Sequence, residues 1–247
     1  MNIFDTIIEE VERYKLEKRQ GSQYREFRAE ATRSWPRGGP RDLILMPDLS
    51  VEFGSPENAS VSFALWTANE ALVTDGRITL VGPDAGETGE MKNPFGKVVV
   101  AGVKGFDETN AYNRNRELHL KKFDLALKGH MLRSASHYLA EWNRISKDAV
   151  GAGFSFSHLG GALIGEYRKL AYVTSVEVLF VTSSDADVTR LYDPGRRSAR
   201  MIEALSKMVR EMDVDCSGCE YRDLCNEAGG LRRLRAELAQ KRGGHDL

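Results

Sequence analysis

Three apolar, largely β-branched runs constrain this chain more than anything else in it: Arg77–Val81 (Arg-Ile-Thr-Leu-Val), Lys97–Ala101 (Lys-Val-Val-Val-Ala) and Val176–Thr182 (Val-Glu-Val-Leu-Phe-Val-Thr). Branched side chains fit a pleated strand and crowd a helix, so all three read as strands. The middle run lacks polar alternation, which predicts a strand buried on both faces. A polar, glycine-containing loop over residues 85–94 separates the first two runs, and helix-period patterns separate the second from the third. The fold class that follows is α/β, a mixed or mostly parallel sheet flanked by helices, with an α+β arrangement left open.

The remaining elements are placed around that frame. Ile3, Phe4, Ile7, Ile8, Val11 and Tyr14 recur at helical spacing and predict an amphipathic helix over residues 2–19. Residues 22–34 predict a further helical turn or two. Leu43–Met46 reads as a short buried strand that would join the sheet, Val51–Phe53 as an extended segment and Gly54-Ser55-Pro56 as a turn. Residues 60–66 fit a strand or a capped helix equally. Residues 110–146 read as mostly helical, with Phe123, Leu125, Leu127, Met131 and Trp142 in an apolar stripe and a break at Gly129. A helix over residues 156–169 is capped by Ser155 or Ser157. A short helix or turn covers 185–192, Pro194-Gly195 breaks the chain, and helices follow at 196–211 and 227–241. The expected organisation is an α/β domain over 1–195 and a helical extension over 196–247.

That extension holds all three cysteines. Cys216, Cys219 and Cys225 lie within one short stretch, and two cysteines two residues apart can aim both sulfurs at one metal centre. Thiolates suit a 4Fe–4S cluster or zinc. A structural zinc site wants four protein ligands, whereas one iron of a cube tolerates a carboxylate, water, substrate or partner residue, so the cluster is the first expectation and zinc the alternative. Asp215, Glu220 and Asp223 are carboxylates within reach in sequence. The histidines, His119, His130, His137, His158 and His245, show no metal-ligand spacing. Arg232, Arg233, Arg235, Lys241 and Arg242 make the last helix basic, either a solvated face or a docking surface for an anionic partner.

Net charge is −1, from 35 basic and 36 acidic side chains, a balance that argues against a dedicated nucleic-acid binder. No run reaches membrane-spanning length and the acidic start does not resemble a signal peptide, so the expected location is cytoplasmic, where clustered cysteines act as metal or redox groups. Glycine-rich phosphate loops and the serine elbow of hydrolases are both missing. Arg133 and Arg144 are candidates for phosphate contacts.

Several blocks together resemble a known family. Asp42-Leu43-Ile44-Leu45, Val51–Pro56, Ser60–Thr67, Asp75–Asp84 and Arg144–Val150, followed by Gly153-Phe154 and His158-Leu159-Gly160, are similar in content and order to the acetyl-CoA synthase family, the β subunit of the carbon monoxide dehydrogenase/acetyl-CoA synthase complex. The resemblance runs from about residue 40 to 185 and is to the middle domain. It implies coenzyme A binding through basic and aromatic side chains, for which Trp66, Arg133, Trp142 and Arg144 are the candidates here. The nickel-binding motif of the family's catalytic domain is not in this sequence. Cys216, Cys219 and Cys225 resemble only part of the family's four-cysteine cluster pattern. The resemblance taken with their spacing points to an iron–sulfur protein working as a redox or catalytic subunit in one-carbon, corrinoid or coenzyme A-linked metabolism, with a protein partner or a second copy of itself. The alternative is a non-catalytic binding or assembly module with a structural zinc site.

Overall fold

The computed structural model describes residues 2–39, 43–107, 109–135, 139–210, 220–221, 223–224, 231 and 233. In chain order the elements are α1 (Asp5–Lys18), β1 (Tyr24–Arg28), β2 (Ser50–Phe53), β3 (Ser60–Thr67), β4 (Arg77–Val81), β5 (Lys92–Asn93), β6 (Phe95–Val103), α2 (Ala111–Leu120), β7 (His130–Ala135), β8 (Glu141–Ser146), α3 (Lys147–Gly151), α4 (Phe156–Tyr167), β9 (Val173–Val181), α5 (Asp185–Thr189) and α6 (Tyr192–Arg210).

The strands form two sheets where one was expected. The larger has the order β1-β4-β9-β6-β3 and the smaller β5-β2-β8-β7. In the larger sheet β6 and β9 are antiparallel at the centre, while β4 runs parallel to β9 and β3 parallel to β6. The three strands foreseen from β-branched runs are all here, and every residue of β6 is buried.

Successive side chains of β9 point to opposite faces and meet different helices. Glu177 reaches Lys15 of α1 at 2.7 Å, whereas Phe180 packs on Phe156 of α4 with ring centres 5.1 Å apart. On the α4 face Phe53, Phe95, Phe156 and Phe180 form one aromatic cluster, and Phe53 ties the smaller sheet to it. On the other face Glu177, Lys15, Arg77 and Glu12 make a buried ion network between helix and sheet. The amphipathic helix α6 adds Met201, Ile202, Ala204 and Leu205 to the same core.

Several expectations are corrected. Residues 22–34 form strand β1 and a single 3-10 turn at Ala29–Ala31, because Tyr24–Arg28 pairs antiparallel with β4. Residues 110–146 are helical only through α2 and the 3-10 turn Lys121–Asp124; the rest is the β7–β8 pair. Gly129 adopts φ +73 at the turn into β7, a conformation that favours glycine. Leu43–Met46 is not a strand, for a reason given below. Residues 60–66, left open between strand and helix, are strand β3. Pro194 and Gly195 lie within the first turn of α6 and do not break it. The cysteine loop falls outside the described residues.

Candidate ligand-binding face

The smaller sheet carries the most concentrated unexplained charge. Glu52 of β2 stands opposite Arg144 of β8 in an antiparallel register. Their neighbours Phe53 and Ile145 are fully buried, so Glu52 and Arg144 project from the other face of the sheet. Arg144 is nonetheless only 1% exposed. A buried guanidinium needs acceptors for its fork of donors. Nε donates to Glu52 Oε1 at 2.7 Å, Nη2 forms an ion pair with the same oxygen, and Nη1 donates to the carbonyls of Ile44 and Leu45 at 2.8 and 3.0 Å. Residues 43–46 therefore cross this face as an extended strap. Their carbonyls are held by an arginine instead of a neighbouring strand, which is why the sequence run of Leu43–Met46 does not join a sheet. Ile44 turns inward, while Leu43, Leu45 and Met46 face solvent, Leu45 at 74% exposure.

Arg133 lies at the register shift of β7 between Leu132 and Ser134. Such an irregularity re-aims a side chain. Its guanidinium carbon sits 4.2 Å from the centre of the Trp142 ring, a cation–π contact. Nη1 is 3.5 Å from Glu52 Oε1, beyond a good hydrogen bond, and the side chain is 40% exposed. The indole Nε1 of Trp142 is buried with no hydrogen-bond partner. This face thus presents two guanidinium groups to one carboxylate, with donors in excess of acceptors. It has the chemistry to hold an anionic group.

The structure brings Arg133, Trp142 and Arg144 together and leaves Trp66 apart. Trp66 is fully buried on β3, its ring against Phe4 and Phe106 at 5.2 and 4.6 Å, and its indole N–H donates to Asn115 at 3.1 Å.

A second polar group joins the two sheets from inside. Glu141 ion-pairs with Lys97, accepts from Ser62 at 2.9 Å and from Asn143 at 3.1 Å, and lies 3.8 Å from Lys122. His130 Nε2 is 2.9 Å from Asn143 Oδ1. Burial works against the Glu141 carboxylate, but the ammonium groups of Lys97 and Lys122 outweigh it and hold its pKa at about 2. Burial pulls Lys122 down to about 8 against the attraction of Glu141, and burial also lowers His130. Sequence reading missed this group. Its one signal was Lys97, a lone charge in an otherwise apolar strand. His130, within the stretch read as mostly helical, lies on β7, and His137 is outside the described residues.

Elsewhere a cavity of about 310 Å³ opens between α1 and the α5–α6 junction, over Tyr14, Arg190 and Pro194. Among the described residues, no three His, Cys, Asp or Glu side chains are grouped to hold a metal ion. Cys216, Cys219 and Cys225 are not among them. No described helix is long and apolar enough to cross a membrane.

Comparison with known proteins gives two matches. The sequence model of a family described as CO dehydrogenase/acetyl-CoA synthase complex beta subunit matches residues 42–187. That span runs from the strap to α5 and contains the whole smaller sheet. Carbon monoxide dehydrogenase/acetyl-CoA synthase subunit alpha of Moorella thermoacetica is 31% identical over 178 residues, covering 70% of this chain and 24% of that protein. The chain therefore spans about a quarter of the length of this curated relative.

Proposed function

The chain belongs to the CO dehydrogenase/acetyl-CoA synthase complex beta subunit family, and on that premise we propose that it binds the phosphate-bearing end of a coenzyme A-type ligand through Arg133, beside Trp142 and Arg144, as a subunit of a coenzyme A-linked one-carbon assembly. One observation carries this reading. Arg133 sits over the Trp142 ring and is half-exposed, and the carboxylate paired with it among the described residues, Glu52, is already bonded to Arg144. The contact with the ring restrains the guanidinium while its exposed donors remain open to a phosphate, which arginine binds in bidentate fashion. The description of the matched family as a subunit of a complex supports a protein partner.

Calorimetric titration tests the reading with two probes, coenzyme A and pantetheine, which lacks the phosphates. Binding of coenzyme A that weakens with salt, is lost in Arg133→Ala and is not shared by pantetheine is the expected result. Equal binding of both probes, or full binding by Arg133→Ala, overturns it.

The cysteine spacing favours a further component. Cys216, Cys219 and Cys225 would hold a 4Fe–4S cluster, making the subunit a redox or catalytic one; a structural zinc at the same thiolates would make it a non-catalytic binding or assembly module. Iron, sulfide and zinc analysis with an absorption spectrum of anaerobically purified protein separates the two. About four irons and four sulfides with a brown chromophore support the cluster. One zinc in colourless protein overturns it.

A further inference from the structure

We infer that anion binding at Arg133 is coupled, through a single oxygen of Glu52, to the arginine clamp that holds the apolar strap 43–46 on the smaller sheet. This coupling rests on the ligand site proposed above and names its regulation.

The connection is a chain of direct contacts. Glu52 Oε1 lies 3.5 Å from Arg133 Nη1 and accepts from Arg144 Nε at 2.7 Å. The same Arg144 guanidinium grips the carbonyls of Ile44 and Leu45 at 2.8 and 3.0 Å. Arg144 is rigid and planar, so whatever draws its Nε edge toward Glu52 also fixes the opposite edge that meets the strap. Two guanidinium groups compete for one carboxylate oxygen and repel each other at close range. An anion on Arg133 removes that competition and cancels the excess positive charge. Glu52 then belongs to Arg144 alone, and the strap is held more firmly. By thermodynamic reciprocity, a firmly held strap raises the affinity for the anion.

The strap's backbone joins no strand, Ile44 is its one buried side chain, and among the described residues the side chain that bonds its carbonyls is Arg144. Segments of this kind open locally at low free energy and are cut by proteases in the open state. Leu43, Leu45 and Leu49 are cleavage sites for chymotrypsin, whereas Pro47 protects the bond after Met46, and the clamp keeps the carbonyls of Ile44 and Leu45 on Arg144 and away from a protease.

The test measures chymotryptic cleavage within residues 43–49 by mass spectrometry on the full chain, with cleavage elsewhere as internal reference. Four samples are compared: wild type and Arg133→Ala, each alone and with coenzyme A. Coupling at the lower end of the usual range slows cleavage about fivefold with coenzyme A. Arg133→Ala slows it in the same direction without ligand, because deleting one guanidinium also leaves Glu52 to Arg144, and the variant does not respond further to coenzyme A. A purely structural role for Arg133 gives the opposite sign, since losing its contact with Trp142 loosens the face and speeds cleavage. Unchanged or faster cleavage in Arg133→Ala overturns the coupling. If calorimetry finds no coenzyme A binding, the ligand reading fails, and the variant alone still decides the coupling.

Discussion

Glu52 faces Arg144 directly across the β2–β8 pair, and the resulting ion pair is almost completely shielded from water at the surface of a sheet. An irregular strap covers the pair, and the arginine itself recruits that strap through two carbonyl groups. The pair is thus both the floor of the candidate ligand face and the anchor of its cover.

Removing one member strands the other. Glu52→Leu leaves a buried guanidinium with no counter-charge, and breaking such a pair costs about 3–5 kcal/mol. Adding Arg144→Met to that variant removes the stranded charge and recovers part of the loss, so the two changes are not additive. Urea denaturation of the two single variants and the double variant checks this. A Glu52→Leu midpoint close to wild type would show that the pair is not an anchor.

The buried group around Glu141 gives stability a defined pH dependence at both ends. The Glu141 carboxyl has its folded pKa at about 2, below its ordinary value of 4.5, so its contribution is complete above 4.5 and is lost as pH falls from there toward 2. Lys122 is displaced downward too, from 10.5 to about 8. For a cation this has the opposite consequence. Between these values the unfolded chain holds a proton that the folded chain has released, so stability rises as pH climbs from 8 toward 10.5. At pH 7 the protonated Lys122 is a burden on the fold. Lys122→Met is expected to raise stability there by on the order of 1–3 kcal/mol, since each pKa unit is worth about 1.4 kcal/mol. The gain shrinks above pH 8 as the wild-type lysine discharges. Thermal melts of both proteins from pH 6 to about 10 read the difference; a gain that grows with pH contradicts the assignment.

Much of this was legible in advance, and the misses have a common cause. β4, β6 and β9 announce themselves because strand propensity and burial agree along them. α1 and α4 do so because their apolar residues keep helical spacing. β7 and β8 do not, because His130, Arg133, Glu141 and Arg144 earn no strand propensity and are there for what they touch across the sheet. The apolar residues of 123–142 happen to recur at helical intervals, but Phe123 is largely exposed, so the stripe was never one face. Arg133, Trp142 and Arg144 lie together on the smaller sheet, whereas Trp66 shares the residue type of Trp142 and not its place. The strap failed as a strand prediction since a backbone carbonyl can be satisfied by a side chain from far along the sequence, which no local pattern records.

Helix α4 holds a final test of how closely it fits the larger sheet. Of its three glycines, Gly160, Gly161 and Gly165, none has a positive φ, and Gly160 and Gly165 lie on different faces. Helix propensity alone favours alanine at both by about 0.5–1 kcal/mol. At Gly165 a methyl group meets nothing within 4 Å, so Gly165→Ala stabilises the protein by that amount. At Gly160 the same methyl would lie 2.8 Å from Ile78 Cγ2 of β4, closer than real contacts allow. Ile78 is completely buried, so it cannot swing away, and forcing the helix outward costs about 1–3 kcal/mol. Gly160→Ala is therefore destabilising despite its better propensity. Replacing Ile78 by valine removes Cδ1, one of the atoms near that position, and relieves part of the penalty in the double variant. Chemical denaturation of these variants measures the packing of α4 on the sheet: equal effects at the two glycines would mean that the helix sits farther from β4 than the contact with Ile78 requires.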